Sequence, residues 1–196
     1  KSTEKRELIL EGARKVFLQK GFAAANMKDI TEECGISRGG LYFYFSSVEE
    51  IFTEVLKSRK RTAAEMFRSL TEAAESFPEL LEEYFAYQKE RLQNMDRSLL
   101  AATIEYGLCH REREADQAFL EELYAGTRAV ICEVLDYGVR RGELPPERVG
   151  PLADHILFTI EGLNLKAMTA RVPEPVLETQ LNILKTMILE ACSDNR

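Results

Sequence analysis

The residues with the clearest chemical use are a guanidinium, two glycines and two aromatic rings in one short segment: Arg38, Gly39, Gly40, Tyr42 and Phe43. A guanidinium donates hydrogen bonds to phosphates and guanine, a phenol hydroxyl binds phosphate, and a phenyl ring packs on a thymine methyl group. Two adjacent glycines let the backbone approach a ligand, although each costs a helix about 1 kcal/mol relative to alanine. The pattern favours non-covalent recognition of a nucleic acid.

Motifs for covalent or metal chemistry are missing from the sequence. Neither His110 nor His155 follows a glutamate by three residues, as a di-iron bundle requires. The four cysteines are far apart without a CxxC pair, and no P-loop, dinucleotide motif or nucleophile elbow occurs. We predict no catalytic residue, no metal site and no cofactor, in a reduced cytoplasmic protein. An all-α enzyme and a protein-interaction adaptor are the alternatives.

Charge is divided unevenly along the chain. Residues 1–61 hold 12 of the 26 Lys and Arg and 9 of the 33 Asp and Glu, a net charge of +3, so the remainder carries −10. This asymmetry indicates that the N-terminal part alone meets a polyanion, although a solvated basic surface would give the same count. No apolar run approaches the roughly 18 residues of a membrane span, so no membrane partner is expected.

Apolar residues recur at helical spacing almost throughout, which predicts an all-α fold of about nine helices. Capping residues and Gly or Pro breaks place the helices near 3–20, 27–34, 38–44, 47–75, 78–93, 96–109, 115–141, 146–170 and 174–192. Asn26 is expected to cap the second helix, and Ser46 and Ser47 each begin a capping-box pattern before the fourth.

The spacing of residues 27–46 predicts a helix-turn-helix. Ile30, Cys34, Ile36 and Leu41 supply apolar contacts between its two helices, and Gly35 occupies the turn. The sequence therefore predicts a three-helix domain over residues 1–46. An all-helical domain for ligand binding and dimerisation would cover residues 47–196, with helix 4 linking the two.

Residues 41–45 form an unbroken apolar and aromatic run, which is more often core than interface. Five consecutive helical residues sweep more than a full turn, so a single buried face cannot hold them all. We expect Leu41 and Phe45 to point inward and Tyr42 and Phe43 to be exposed.

Several segments agree in register with one known domain: Gly21-Phe22, Asp29-Ile30, Cys34 through Phe45, and Val48 through Phe52. Together they resemble the DNA-binding domain of the TetR/AcrR family over residues 3 to about 55. The remaining chain is similar in length and helical character. The resemblance implies a homodimer that binds palindromic double-stranded operator DNA with one recognition helix per half-site.

Positions carried over from this resemblance form a predicted DNA contact set. Phe43 occupies a position that is frequently polar in the family, Gly40 one where threonine often contacts DNA, and Ser46-Ser47-Val48 the segment where a lysine often anchors the backbone. The predicted contacts are Lys28, Ser37, Arg38, Gly39, Gly40, Tyr42, Phe43, Tyr44 and Ser46.

Two C-terminal helices carry more apolar residues than a single buried face would hold. Either packing in the core of one subunit or a dimer interface would account for them. The resemblance favours the interface, because the last two helices of TetR-like proteins pair with their symmetry mates. The predicted interface residues are Leu152, Ile156, Ile160, Leu163, Leu177, Leu181, Leu184 and Ile188.

A small-molecule effector site is predicted among central helices that combine apolar bulk with isolated polar groups, a combination that ordinary core residues also show. Its candidates are Tyr84, Tyr87, Met95, Leu99, Thr103, Tyr106, Phe119, Tyr124, Phe158 and Glu161. Glu161 stands out because a lone carboxylate in an apolar stretch is costly. We expect it to pair with a cationic ligand or with a lysine or arginine across a dimer.

The resemblance implies a transcriptional regulator. The favoured mechanism is repression relieved by an effector that binds the DNA-incompetent state more tightly, with helix 4 transmitting the change. Activation is the alternative that the sequence leaves open.

Overall fold

The computed structural model describes residues 2–193; residues 1 and 194–196, at the outer ends of the two predicted domains, lie outside the described residues. The described chain confirms the all-α prediction and its nine helices. They are α1 (Ser2–Lys20), α2 (Met27–Cys34), α3 (Arg38–Tyr42), α4 (Val48–Ala73), α5 (Phe77–Gln93), α6 (Leu100–Cys109), α7 (Glu114–Arg140), α8 (Pro146–Thr169) and α9 (Glu174–Ser193), with a 3₁₀ turn at Met95–Arg97.

Local capping chemistry sets the ends of α2. The Asn26 side chain accepts hydrogen bonds from the backbone amides of Lys28 at 3.0 Å and Asp29 at 3.1 Å. The Asp29 carboxylate accepts the Asn26 amide at 3.2 Å, which completes a capping box. Gly35 ends the helix with φ of 62°, a left-handed conformation that glycine adopts without a Cβ penalty. The chain can therefore turn sharply into α3.

The start of α4 differs in detail from the two predicted capping boxes. Ser47 Oγ accepts the amide of Glu50 at 3.2 Å, as expected. The Glu50 carboxylate, however, accepts both the amide and the hydroxyl of Ser46 at 2.7 Å, rather than returning to Ser47. The result is that the two residues preceding α4 are both held by its first turn.

The described chain forms two compact units, and their boundary does not fall at residue 46. The N-terminal unit contains the described residues up to Arg61 together with Asp96–Leu123, and the C-terminal unit contains the rest. The helix α6 and the first part of α7 therefore belong with the N-terminal helices. Sequence periodicity gives no sign of this, because it records which face of a helix is buried and not which neighbour buries it.

Aromatic packing builds the core of the N-terminal unit. The rings of Phe17 and Phe52 meet edge to face with centroids 4.8 Å apart. Tyr106 of α6 is fully buried, with its ring centroid 5.0 Å from Phe22 and 5.4 Å from Phe52. Burial of these large rings fixes the helices around α3.

The C-terminal unit is a helical bundle with apolar residues inside and ion pairs outside. Its core includes Phe77, Leu80, Leu81, Leu135, Ala153, Ile156, Leu177 and Leu184. Lys89 lies 3.0 Å from Glu174, and Lys185 lies 2.7 Å from Glu82, so α5 and α9 run in opposite directions.

Candidate nucleic-acid interface and effector site

Helix α3 presents an exposed face with mixed cationic and aromatic character. Phe43 is 80% exposed and Tyr42 is 44% exposed, whereas Leu41 and Phe45 are buried. The Arg38 guanidinium lies 5.5 Å from the centroid of the Tyr42 ring. Cation–π contact restricts the conformations of a long arginine side chain. The predicted division of the aromatic run into an inner and an outer face is confirmed.

The two glycines of α3 differ in their surroundings. A Cβ placed on Gly39 would meet nothing within 4 Å, whereas one on Gly40 would lie 3.2 Å from Ser37 Oγ. Ser37 Oγ in turn accepts the Gly40 amide at 3.1 Å and so caps α3. Gly39 thus leaves open surface beside Arg38, and Gly40 makes room for the cap.

The remaining predicted DNA contacts surround α3. Lys28 is exposed on the first turn of α2, within 3.6 Å of Glu32. Tyr44 is half-buried, with its ring centroid 5.1 Å from that of Phe43. Ser46 is exposed, but its hydroxyl and its backbone amide both donate hydrogen bonds to the Glu50 carboxylate. These two bonds lower the pKa of Glu50. The nine predicted residues thus include groups that point outward and groups already held by the fold.

Sequence reasoning missed the residues of α6 that support the helix-turn-helix. The Glu105 carboxylate accepts hydrogen bonds from the amides of Phe22 at 2.7 Å and Ala23 at 3.0 Å, in the turn that follows α1. Tyr106 donates a short hydrogen bond to Asp116, and burial and that bond raise its pKa. No periodic signal marks Glu105, because its partners are backbone amides more than 80 residues away in sequence.

A cavity of about 320 Å³ lies in the N-terminal unit, between α1 and α4. None of the ten predicted effector residues lines it. Its charged side chains are Arg6, Arg14, Lys57, Arg59 and Arg61, against Glu7, Glu11 and Glu54. Because Arg6 pairs with Glu54 and Arg14 with Glu11, much of this charge is compensated within the protein.

The predicted effector residues are divided between the two units. Leu99, Thr103, Tyr106 and Phe119 belong to the N-terminal unit, where Tyr106 is a core residue; Tyr84, Tyr87, Met95, Tyr124, Phe158 and Glu161 belong to the C-terminal unit. Tyr84 is deeply buried, and that burial raises its pKa. Phe158 is 73% exposed. The ten residues therefore do not share one environment.

Around Glu161 the structure brings together three polar side chains of the C-terminal unit. Asn164 is buried one turn along α8, and its Nδ2 donates to Glu161 Oε1 at 3.3 Å. On α7, burial and then the negative charge of Glu161 raise the pKa of Tyr124. Asn164 was absent from the prediction, since a single asparagine in an apolar helix carries no distinctive pattern.

Most predicted dimer residues lie inside the C-terminal unit. Leu152 and Leu163 are half-buried, and Ile156, Ile160, Leu177, Leu181, Leu184 and Ile188 are buried within one chain. Other apolar side chains on the same helices are exposed: Phe158 and Leu165 on α8, and Val176, Ile183 and Met187 on α9. The predicted interface residues therefore belong mostly to the core face of each helix.

Taken together, the two short helices joined by a turn at Gly35 and the exposed basic and aromatic face of the second define a helix-turn-helix DNA-binding protein. Residues 9–55 match the family model described as bacterial regulatory proteins, tetR family, and residues 80–172 match that of a tetracyclin repressor-like C-terminal domain. The chain belongs to the TetR family, and it is a transcriptional regulator rather than an enzyme.

Individual relatives agree with this assignment. The HTH-type transcriptional regulator YfiR of Bacillus subtilis is 35% identical over 147 residues, which cover 74% of this chain and 69% of YfiR. The HTH-type transcriptional repressor BepR of Brucella suis is 26% identical over 164 residues, covering 82% of this chain and 78% of BepR. The solved structure of a protein described as a TetR-family transcriptional regulator from Mesorhizobium loti superimposes with a TM-score of 0.79 at 20% identity, covers 97% of each chain, and shows the shared fold. Within the described residues, no helix is long and apolar enough to span a membrane.

Proposed function

We propose that this regulator is a repressor that binds a palindromic operator as a homodimer in the bacterial cytoplasm and is released by a small-molecule effector. The observation that carries the proposal is the exposed face of α3, where Arg38, Tyr42 and Phe43 project from a helix held by buried Leu41 and Phe45. A helix anchored in this way can enter a major groove and present a guanidinium and a ring to base edges. The name of the relative BepR supports repression over activation.

Charge supports DNA binding by the N-terminal helices. The net charge of +3 over residues 1–61 attracts the phosphate backbone, while the −10 of the remainder is repelled by it. A polyanion is therefore attracted to the segment of residues 1–61, which contains α3, more than to the rest of the chain.

A homodimer is supported by the apolar side chains that α8 and α9 leave exposed. Phe158 and Leu165 flank Gly162 on the outer face of α8, and a Cβ on Gly162 would meet nothing within 4 Å. Ile183 and Met187 lie one turn apart on the outer face of α9. Exposed apolar faces of this kind are typical of protein interfaces, and a glycine between large side chains lets a second helix approach closely. A second copy of the chain is the occupant we propose.

Release by an effector is a linkage between two sites. An effector that binds the DNA-incompetent dimer more tightly must itself bind more weakly when DNA is present, by the same factor. The hydrogen bonds from the loop after α1 to Glu105 connect α6 directly to the DNA-binding helices. Displacement of α6 would therefore disturb the position of α3.

Selection of bound duplexes from a random library, followed by a gel shift across a salt series, tests this function. We expect an inverted repeat and a log–log slope of about −0.9 for each phosphate contacted. Arg38→Ala should weaken binding to the selected site, and Glu112→Ala, a change at an exposed residue after α6, should not. A protein-interaction adaptor would give no saturable shift, and that result would contradict the proposal.

A further inference from the structure

An unsatisfied polar group lies in the C-terminal unit beside the carboxylate of Glu161. The Asn164 side chain is only 3% exposed, and its Oδ1 has no hydrogen-bond partner among the described residues. Buried acceptors are nearly always paired, because burial removes the water that would otherwise bind them. No described residue donates a hydrogen bond to this oxygen, which leaves it open to a donor from a ligand.

The orientation of the Asn164 amide follows from its neighbour. Its Nδ2 donates to Glu161 Oε1 at 3.3 Å. Turning the amide over would place two acceptor oxygens together, because a carboxylate accepts but does not donate. Asn164 Oδ1 and the Glu161 carboxylate are therefore two acceptors one helical turn apart.

Among the described residues, Glu161 forms no ion pair with a lysine or arginine, and Asn164 Oδ1 has no hydrogen-bond donor. Arg128, on the neighbouring helix α7, is held by Asp154 at 2.6 Å. Half-buried carboxylates without a counter-ion are costly, and the cost falls when a cation binds.

Tyr124 of α7 is a third polar group affected by the charge of Glu161. It belongs to the same unit, is 52% exposed, and has a pKa raised by burial and by the nearby charge of Glu161. Its hydroxyl can both donate and accept. Met168, half-buried one turn after Asn164 on α8, offers apolar surface, whereas Leu157, one turn before Glu161, is buried in the core.

We propose that Glu161 and Asn164 bind the ammonium group of the effector, so that the effector is a primary or secondary amine with an apolar portion. This inference rests on the proposed function, because it assigns the chemical class of the effector. One N–H would bind Glu161 and a second would bind Asn164 Oδ1. A quaternary ammonium lacks these donors and leaves Asn164 unsatisfied.

Four probes of equal chain length separate charge from hydrogen-bond donation. Calorimetric titration of the full chain would use n-hexylammonium, 1-hexanol, hexanoate and hexyltrimethylammonium. We expect hexylammonium to bind at least about tenfold more tightly than each of the others, as loss of one charge-assisted hydrogen bond implies. Equal or tighter binding of hexanoate, or no measurable binding of hexylammonium, would overturn the proposal.

Three variants locate the binding. Glu161→Gln keeps the shape of the side chain and should lower hexylammonium affinity about tenfold, and Asn164→Leu should lower it while leaving the helical circular dichroism unchanged. Glu147→Gln, at an exposed carboxylate on α8, is the matched control. If Glu161→Gln leaves the affinity unchanged but dissociates the dimer in sedimentation, the carboxylate serves a partner subunit and the proposal is wrong. Operator binding measured without amine tests the regulator function separately.

Discussion

The carboxylate of Glu105 accepts the backbone amide of Phe22 at 2.7 Å, and the same oxygen accepts the amide of Ala23 at 3.0 Å. These amides follow the end of α1, where Gly21 turns the chain with φ of 75°. One side chain of α6 therefore satisfies two backbone donors that no helix or sheet pairs. This relationship ties a helix from the middle of the chain to the DNA-binding helices.

Removal of this carboxylate should destabilise the N-terminal unit. Hydrogen bonds to charged groups contribute about 1.5–3 kcal/mol, so Glu105→Ala should lower the free energy of unfolding by about that amount. Glu105→Gln keeps one acceptor oxygen and should cost less. Urea unfolding measures both, with Glu112→Ala as the control. Equal stability of Glu105→Ala and the wild type would show that water replaces the carboxylate without loss.

Gly21 and Gly35 form a matched pair for separating backbone strain from steric contact. Both have positive φ, but a Cβ on Gly21 would lie 2.4 Å from Glu105 Oε2, whereas one on Gly35 would meet nothing within 4 Å. Gly35→Ala should therefore cost about 1–2 kcal/mol from the left-handed backbone alone. Gly21→Ala should cost more.

A double-mutant cycle completes this comparison. In a Glu105→Ala background the contact at Gly21 is removed, so the cost of Gly21→Ala should fall towards that of Gly35→Ala. Unfolding in urea gives the four free energies. Additive costs for Gly21→Ala and Glu105→Ala would contradict the close approach.

Residues on the outer face of α3 should affect DNA affinity without affecting stability. Phe43→Ala and Arg38→Ala remove exposed side chains, and each should weaken binding to a selected operator by about 1–3 kcal/mol. Lys28→Ala should reduce the salt slope by about 0.9, the value for one phosphate contact. Gel shifts give the affinities, and thermal unfolding should be unchanged. Leu41→Ala, at a fully buried position, is the opposite control and should unfold the domain.

The sequence predicted the DNA-binding helices well because their signals are local. Asn26, Gly35 and Ser37 act on residues within a few positions along the chain, so each leaves a recognisable pattern. The contact between Glu105 and Phe22 spans 83 residues and involves backbone amides, which no spacing records. Periodicity also showed that α8 and α9 are apolar on more than one side but could not tell which side faces its own subunit, since apolar side chains suit a core and an interface equally.

Acidification should weaken the start of α2 through Asp29. A hydrogen bond from Lys20, 2.6 Å away, together with that of the Asn26 amide, lowers the pKa of Asp29. A carboxyl group whose pKa is lower in the folded state adds stability above its unfolded pKa of about 3.9, and this stability is lost as the pH falls through the folded value. Wild-type protein should therefore lose more stability between pH 5 and pH 3 than Asp29→Asn does, by urea unfolding at each pH. Equal losses would show that Asp29 does not contribute.

The exposed apolar faces of α8 and α9 predict which substitutions separate the subunits. Phe158→Glu and Ile183→Glu replace side chains that are 73% and 48% exposed, so the single chain should remain folded. Burial of a large apolar side chain contributes about 1.5–3 kcal/mol, and a buried unpaired carboxylate adds a further cost, so both variants should sediment as monomers. Because a monomer binds only one half-site of the operator, the operator affinity of both variants should also fall. Leu108→Glu, at a position 68% exposed on α6, is the control and should leave the dimer intact. Dimers of unchanged stability in both variants would place the interface on another face.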